Sequence, residues 1–112
     1  MRTAADDIRW KFPNWSPLLV ITHVVLFKFR AEHAGEIATS QRMLGSLHGQ
    51  VPQIRSLSVG SNILPSERAY DLCLIATFDS LEDLARYRAH PEHQSVATQV
   101  DRYCQSTVSV DY

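Results

Sequence analysis

Within seven residues, Tyr87-Arg88-Ala89-His90-Pro91-Glu92-His93 supplies a phenol and two imidazoles. Imidazole is the side chain that titrates nearest physiological pH, so acid–base chemistry is plausible here. The plainer reading stays open beside this one. Tyr87 is then a packing aromatic between helix and sheet, and His93 bonds a backbone carbonyl near the hinge.

Pro91 fixes how these groups are presented. Inside a helix it would lose a backbone bond and clash with the preceding turn. It also drives His90 out of the helical region, yet it sits at low cost at the first position of a new helix. The spacing therefore predicts a break at His90 and a fresh helix from Pro91, with Glu92 at the positive end of its dipole. From there His93, Val96, Ala97, Val100, Tyr103 and Cys104 form an amphipathic stripe. Before the break, Asp79 or Ser80 caps a helix, with Asp83 close to a capping box, and Leu81, Leu84, Ala85 and Arg88 share one face.

The rest of the chain supplies a sheet. Ile21–Arg30 alternates Ile21, His23, Val25, Phe27 and Phe29 on one face with Thr22, Val24, Leu26, Lys28 and Arg30 on the other, a strand signature. His23 is either a core histidine bonded to a neighbour or a group that orients a ligand. Glu36–His48 is predicted helical, with Gly45 weakening it or admitting a close neighbour, and with Gly49 and Pro52 as stop signals. Strands follow at Ile54–Val59, Ala69–Phe78 and Thr107–Tyr112, and Gly60–Arg68 forms a loop rich in turn residues. Val108, Val110 and Tyr112 face one way. Cys73 is read as a small buried hydrophobe.

The order of elements is βαββαβ with one extra helix break at His90. It predicts an α+β, ferredoxin-like domain with a four-stranded antiparallel sheet and helices on one face. The first and third strands are apolar on both faces, so the face without helices also needs a cover. A second copy, sheet against sheet about a two-fold axis, is the simplest one. A homodimeric α+β barrel is therefore expected.

Composition narrows the function. The chain has 112 residues, 45% hydrophobic and 21% charged, with net charge −1 from 11 basic and 12 acidic residues. That is one domain, and its scattered charge suggests neither a nucleic-acid nor an anionic-membrane partner. Cys73 and Cys104 form neither a disulfide framework nor a zinc motif, which makes a reduced, cytoplasmic setting the default. No apolar run reaches transmembrane length. The N-terminal extension, residues 1–20, carries Asp6 and Asp7 and does not read as a signal peptide. Its Trp10, Phe12 and Trp15 are expected to dock on the domain or on a second subunit. His90 is read as a cap facing solvent, which leaves too few ligands for a metal. No Gly-rich phosphate loop or Ser-His-Asp order stands out.

His23-Val24-Val25-Leu26-Phe27-Lys28-Phe29, Tyr70-Asp71-Leu72, Tyr87-x-x-His90-Pro91-x-His93 and the terminal Val110-Asp111-Tyr112 stand in the order of one known family. Over Ile21–Tyr112 the chain resembles the stress-responsive A/B barrel (Dabb) family. That resemblance implies a small dimeric α+β barrel. In a plant polyketide cyclase of the family, an intramolecular aldol condensation proceeds without metal or cofactor. Its catalytic tyrosine and histidine match Tyr87 and His93, and a pocket histidine on its first strand matches His23. Another pocket histidine falls at Leu72, and a pocket tryptophan falls at Cys104, so the lining differs. Val25, Phe27, Leu72 and Leu74 are the apolar candidates for the cleft wall. The function expected is binding of a small, aromatic or polyketide-like molecule, with cyclisation by His93 as base and Tyr87 as donor, and no cofactor. The alternatives are a non-catalytic stress-associated dimeric binder, and a monooxygenase or isomerase of the wider dimeric α+β barrel group.

Overall fold

The computed structural model describes residues 20–112. Trp10, Phe12 and Trp15, and the docking expected of them, lie outside the described residues. In order come β1 (Ile21–Phe29), a 3₁₀ segment (Ala31–Glu36), α1 (Ile37–Ser46), a 3₁₀ turn (Leu47–Gly49), β2 (Ser56–Ser61), β3 (Leu72–Phe78), α2 (Leu81–Ala89), α3 (Pro91–Tyr103) and β4 (Cys104–Asp111). The strands form one antiparallel sheet in the order β2-β3-β1-β4. This is the ferredoxin-like α+β arrangement that the pattern predicts.

Alternation along β1 and β3 explains the layers. Residues directly opposite across a ladder share a face. His23 pairs with Ala76 and Asp111, Val25 with Leu74 and Ser109, and Phe27 with Leu72 and Thr107. These rows face the helices. The core lies between them and Leu44, Leu47, Leu84, Tyr87 and Val100. Each large side chain buried there contributes about 1.5–3 kcal/mol of transfer free energy. The next rows, Val110–Val24–Ile75–Ser58 and Val108–Leu26–Cys73–Gly60, face away from the helices. Cys73 belongs to this open face and is only half-buried. Its expected full burial is corrected by a register that turns it away from the core.

Boundaries move where a local bond outranks the pattern. The third strand begins at Leu72 rather than Ala69. Asp71 ends the ladder: its N–H donates to the Phe27 carbonyl at 2.8 Å, and its carboxylate accepts from the Phe29 N–H at 2.7 Å. Ile54, read as the start of a strand, and Val51 are both core residues in a turn held by bonds from the Gln50 and Val51 N–H groups to the Leu47 carbonyl. The second strand therefore starts at Ser56, where pairing with Thr77 begins. The last strand starts at Cys104, directly after α3, because Cys104 already pairs with Phe29 and the Arg30 N–H bonds the Tyr103 carbonyl.

Candidate small-molecule site

Two helices meeting at one residue build the site. Ser80 caps α2, its hydroxyl accepting from the Asp83 N–H at 3.0 Å. Leu84 and Tyr87, three apart, then face the sheet and are buried. His90 is extended, with φ −66° and ψ 133°, and ends α2 while capping α3. Its Nδ1 accepts from the Glu92 N–H at 3.1 Å, and Pro91 follows at the start of the new helix. His90 joins the two helices, and the end of α2 meets the first turn of α3. Tyr87 and His93 stand with ring centroids 4.3 Å apart.

Tyr87 is 1% exposed. Phe78 lies against its ring at 5.0 Å between centroids, and His23 meets it edge-on at 6.1 Å. Burial pushes the phenol up to about 12, against an opposing pull from the Arg88 cation. At neutral pH the hydroxyl is a hydrogen-bond donor. Burial likewise holds His93 below the usual histidine value. The Arg88 carbonyl and Asp101 work against that shift, while His23 and Arg88's charge add to it. His93 Nδ1 lies 3.2 Å from the Arg88 carbonyl oxygen. A carbonyl only accepts, so Nδ1 carries the proton and Nε2 of the neutral ring is left with a free lone pair. The backbone bond expected of His93 is present, and it leaves the other ring nitrogen as an acceptor.

His23 is a buried polar residue on the helix-facing side of β1. Its Nδ1 bonds Asp111 Oδ1, and the other oxygen of Asp111 accepts from Arg88 at 3.1 Å. Sequence reading singled out neither Asp111 nor Arg88 as a site residue. The signal for Asp111 lay in the Val110-Asp111-Tyr112 motif, but only the β1–β4 register brings it to His23.

His23, Tyr87, Arg88 and His93 border one cavity of about 400 Å³. Of the expected wall residues, His23, Val25, Phe27, Leu74, Tyr87 and His93 line it. Leu44, Ala97 and Asp101 from the helices also line it, with Thr107, Val108 and Ser109 from β4. Leu72 does not: it is buried in the core one pleat further along β3. Cys104 is buried too, and its thiol is pushed up to about 11, chiefly by that burial, so it stays protonated. Among the described residues no group of three or more His, Cys, Asp or Glu side chains is assembled to hold a metal ion. Nor is any helix among them long and apolar enough to cross a membrane.

Comparison with known proteins agrees with this architecture. An uncharacterised protein of Streptomyces coelicolor is 29% identical over 79 residues, 68% of this chain and 81% of that one. A dimeric ferredoxin-like protein of Bacteroides fragilis superimposes with TM-score 0.75 at 30% identity, covering 83% of this chain and 94% of that one. The hydroxynitrile lyase of Passiflora edulis shares the fold at TM-score 0.75 and 20% identity, with 86% and 94% covered. The model of the stress responsive A/B barrel domain matches residues 21–112, and the chain belongs to that family, Dabb.

Proposed function

We propose that the protein is a homodimer that binds a small aromatic or polyketide-like molecule in the cavity between sheet and helices, and closes it by a cofactor-free aldol reaction. The observation that carries this reading is the Tyr87–His93 ring pair, 4.3 Å apart at the wall of a single cavity that His23 also borders. In the first step His93 Nε2 takes a proton from a methylene between two carbonyls, giving an enolate and an imidazolium. The enolate carbon then attacks a second carbonyl of the same chain. A carbon–carbon bond forms, and the carbonyl π pair moves onto oxygen. Tyr87 O–H hydrogen-bonds an oxygen as charge develops on it. The imidazolium returns its proton to the alkoxide, which leaves the aldol product and a neutral His93. Apolar Val25, Phe27, Leu44 and Leu74 fold the chain so that its ends meet.

Dimerisation is supported by Ile75, Val108, Val110 and Tyr112, exposed on the helix-free side at 41%, 46%, 57% and 71%. It is supported also by the dimeric state of the Bacteroides fragilis protein. A cytoplasmic setting fits the two free cysteines. The test is the rate of ring closure of a model β-polyketide by the protein and by His93→Ala. A fall of about 10²–10⁴-fold is expected for loss of a general base. Equal rates would remove the cyclase and leave a binding protein.

A further inference from the structure

Arg88 reaches both histidines, His93 directly and His23 through Asp111. Its backbone carbonyl accepts from His93 Nδ1 at 3.2 Å, and its guanidinium donates to Asp111 Oδ2 at 3.1 Å. Asp111 in turn accepts from His23 Nδ1 through Oδ1. Each imidazole therefore spends its Nδ1–H on the protein, and each neutral ring keeps Nε2 as an acceptor. Asp111 is about one-third exposed and Arg88 about half, so neither is locked by packing alone. Each needs the other to hold its geometry, and the carboxylate keeps both oxygens engaged.

We infer that Arg88 and Asp111 are positioning residues that hold His23 in its Nδ1–H form, making it a second acceptor beside His93, and that the ligand of this site carries a hydroxyl or enol for His23 to bind. The clause about the ligand rests on the proposed aldol reading. The clause about the tautomer does not. A substrate with only carbonyl acceptors and acidic C–H groups would satisfy His93 and leave His23 Nε2 without a donor. A polyketide in its enol form, or a phenolic product, supplies that donor. Sites that hydrogen-bond a hydroxyl reject the analogue lacking it far more strongly than apolar pockets sort by shape.

The first arm of the test needs no substrate. The five imidazoles are observed through their ring nitrogens by long-range ¹H–¹⁵N spectra, at about pH 9, above the ordinary histidine range. His23→Gln and His93→Gln assign the two signals. In the unaltered protein both rings should show the Nδ1–H pattern. Asp111→Ala should move His23 to the Nε2–H pattern, and Arg88→Ala should give a mixed pattern that Arg88→Lys restores. His93 is the internal control, since its acceptor is a backbone carbonyl and its pattern should hold in all three variants. A purely structural role for Arg88 would change the melting temperature and leave the His23 pattern alone. That result, or an Nε2–H pattern for His23 in the unaltered protein, overturns the positioning role. The second arm titrates resorcinol and 1,3-dimethoxybenzene. Resorcinol should bind at least about 10-fold tighter, a margin that Asp111→Ala removes. Equal affinities would overturn the ligand clause and leave the tautomer result standing.

Discussion

At the scale of single residues, the site depends on two shifts that both come from burial. His93 is held below the usual histidine value and Tyr87 is raised to about 12. A base works only when unprotonated, so activity should rise as pH climbs through the lowered His93 value, which lies under 6.5. It should then stay level through neutral pH, because Tyr87 does not lose its proton until about 12. A pH profile of kcat/KM for ring closure checks this, and an acid limb centred above 6.5 would contradict it. Tyr87→Phe should keep the ring packing against Phe78 and lose about 10²–10³ in kcat, the usual loss for one donor to a developing oxyanion. The proximity of Tyr87 and His93 was readable beforehand. Tyr87 and His93 are six positions apart around a proline, and local spacing is what a sequence displays. Asp111 was not, because its partner His23 lies 88 positions away and only strand register joins them.

Elements were legible where a periodic pattern and a stop signal agreed, and blurred where tertiary bonds set the limit. Ser80 and Pro91 mark the starts of α2 and α3 as expected. Chain pattern alone placed the start of β4 three residues late, because pairing with Phe29 draws Cys104 into the sheet. Gly45 shows the same division. It was open to two readings, a weak point in a helix or a close approach by a neighbour, and a Cβ built there meets nothing within 4 Å. Among the described residues nothing approaches it closely, and the glycine adds backbone freedom to α1. Gly45→Ala should raise stability by about 0.5–1 kcal/mol. Ser80→Ala, which strips the hydroxyl from the Asp83 N–H, should lower it by about 1 kcal/mol. Urea midpoints at unchanged slope measure both, and the two sites sit on different helices, so their effects should add in the double variant.

Over the whole molecule, the sheet divides two kinds of work. One face carries the core and the cavity, while the other presents Val24, Leu26, Ile75, Val108 and Val110 in adjoining rows. An apolar block of that extent is characteristic of an association surface. Ile75 is the best probe, since it lies on β3 between β1 and β2 and points away from the cavity. It is 41% exposed in the single chain. Ile75→Asp should therefore change the stability of an isolated chain by only about 0.5 kcal/mol, as exposed substitutions usually do. In a face-to-face dimer the same change buries an unpaired carboxylate on each side, which costs several kcal/mol per charge. The two arrangements thus predict different outcomes from one variant. Sedimentation at micromolar concentration should give twice the 12.7 kDa chain mass for the unaltered protein and a single chain for Ile75→Asp. The melting temperature should depend on protein concentration before the substitution and not after it. An unaltered protein that sediments as one chain, with this face in water, would remove the dimer and leave the cavity to be explained within one subunit.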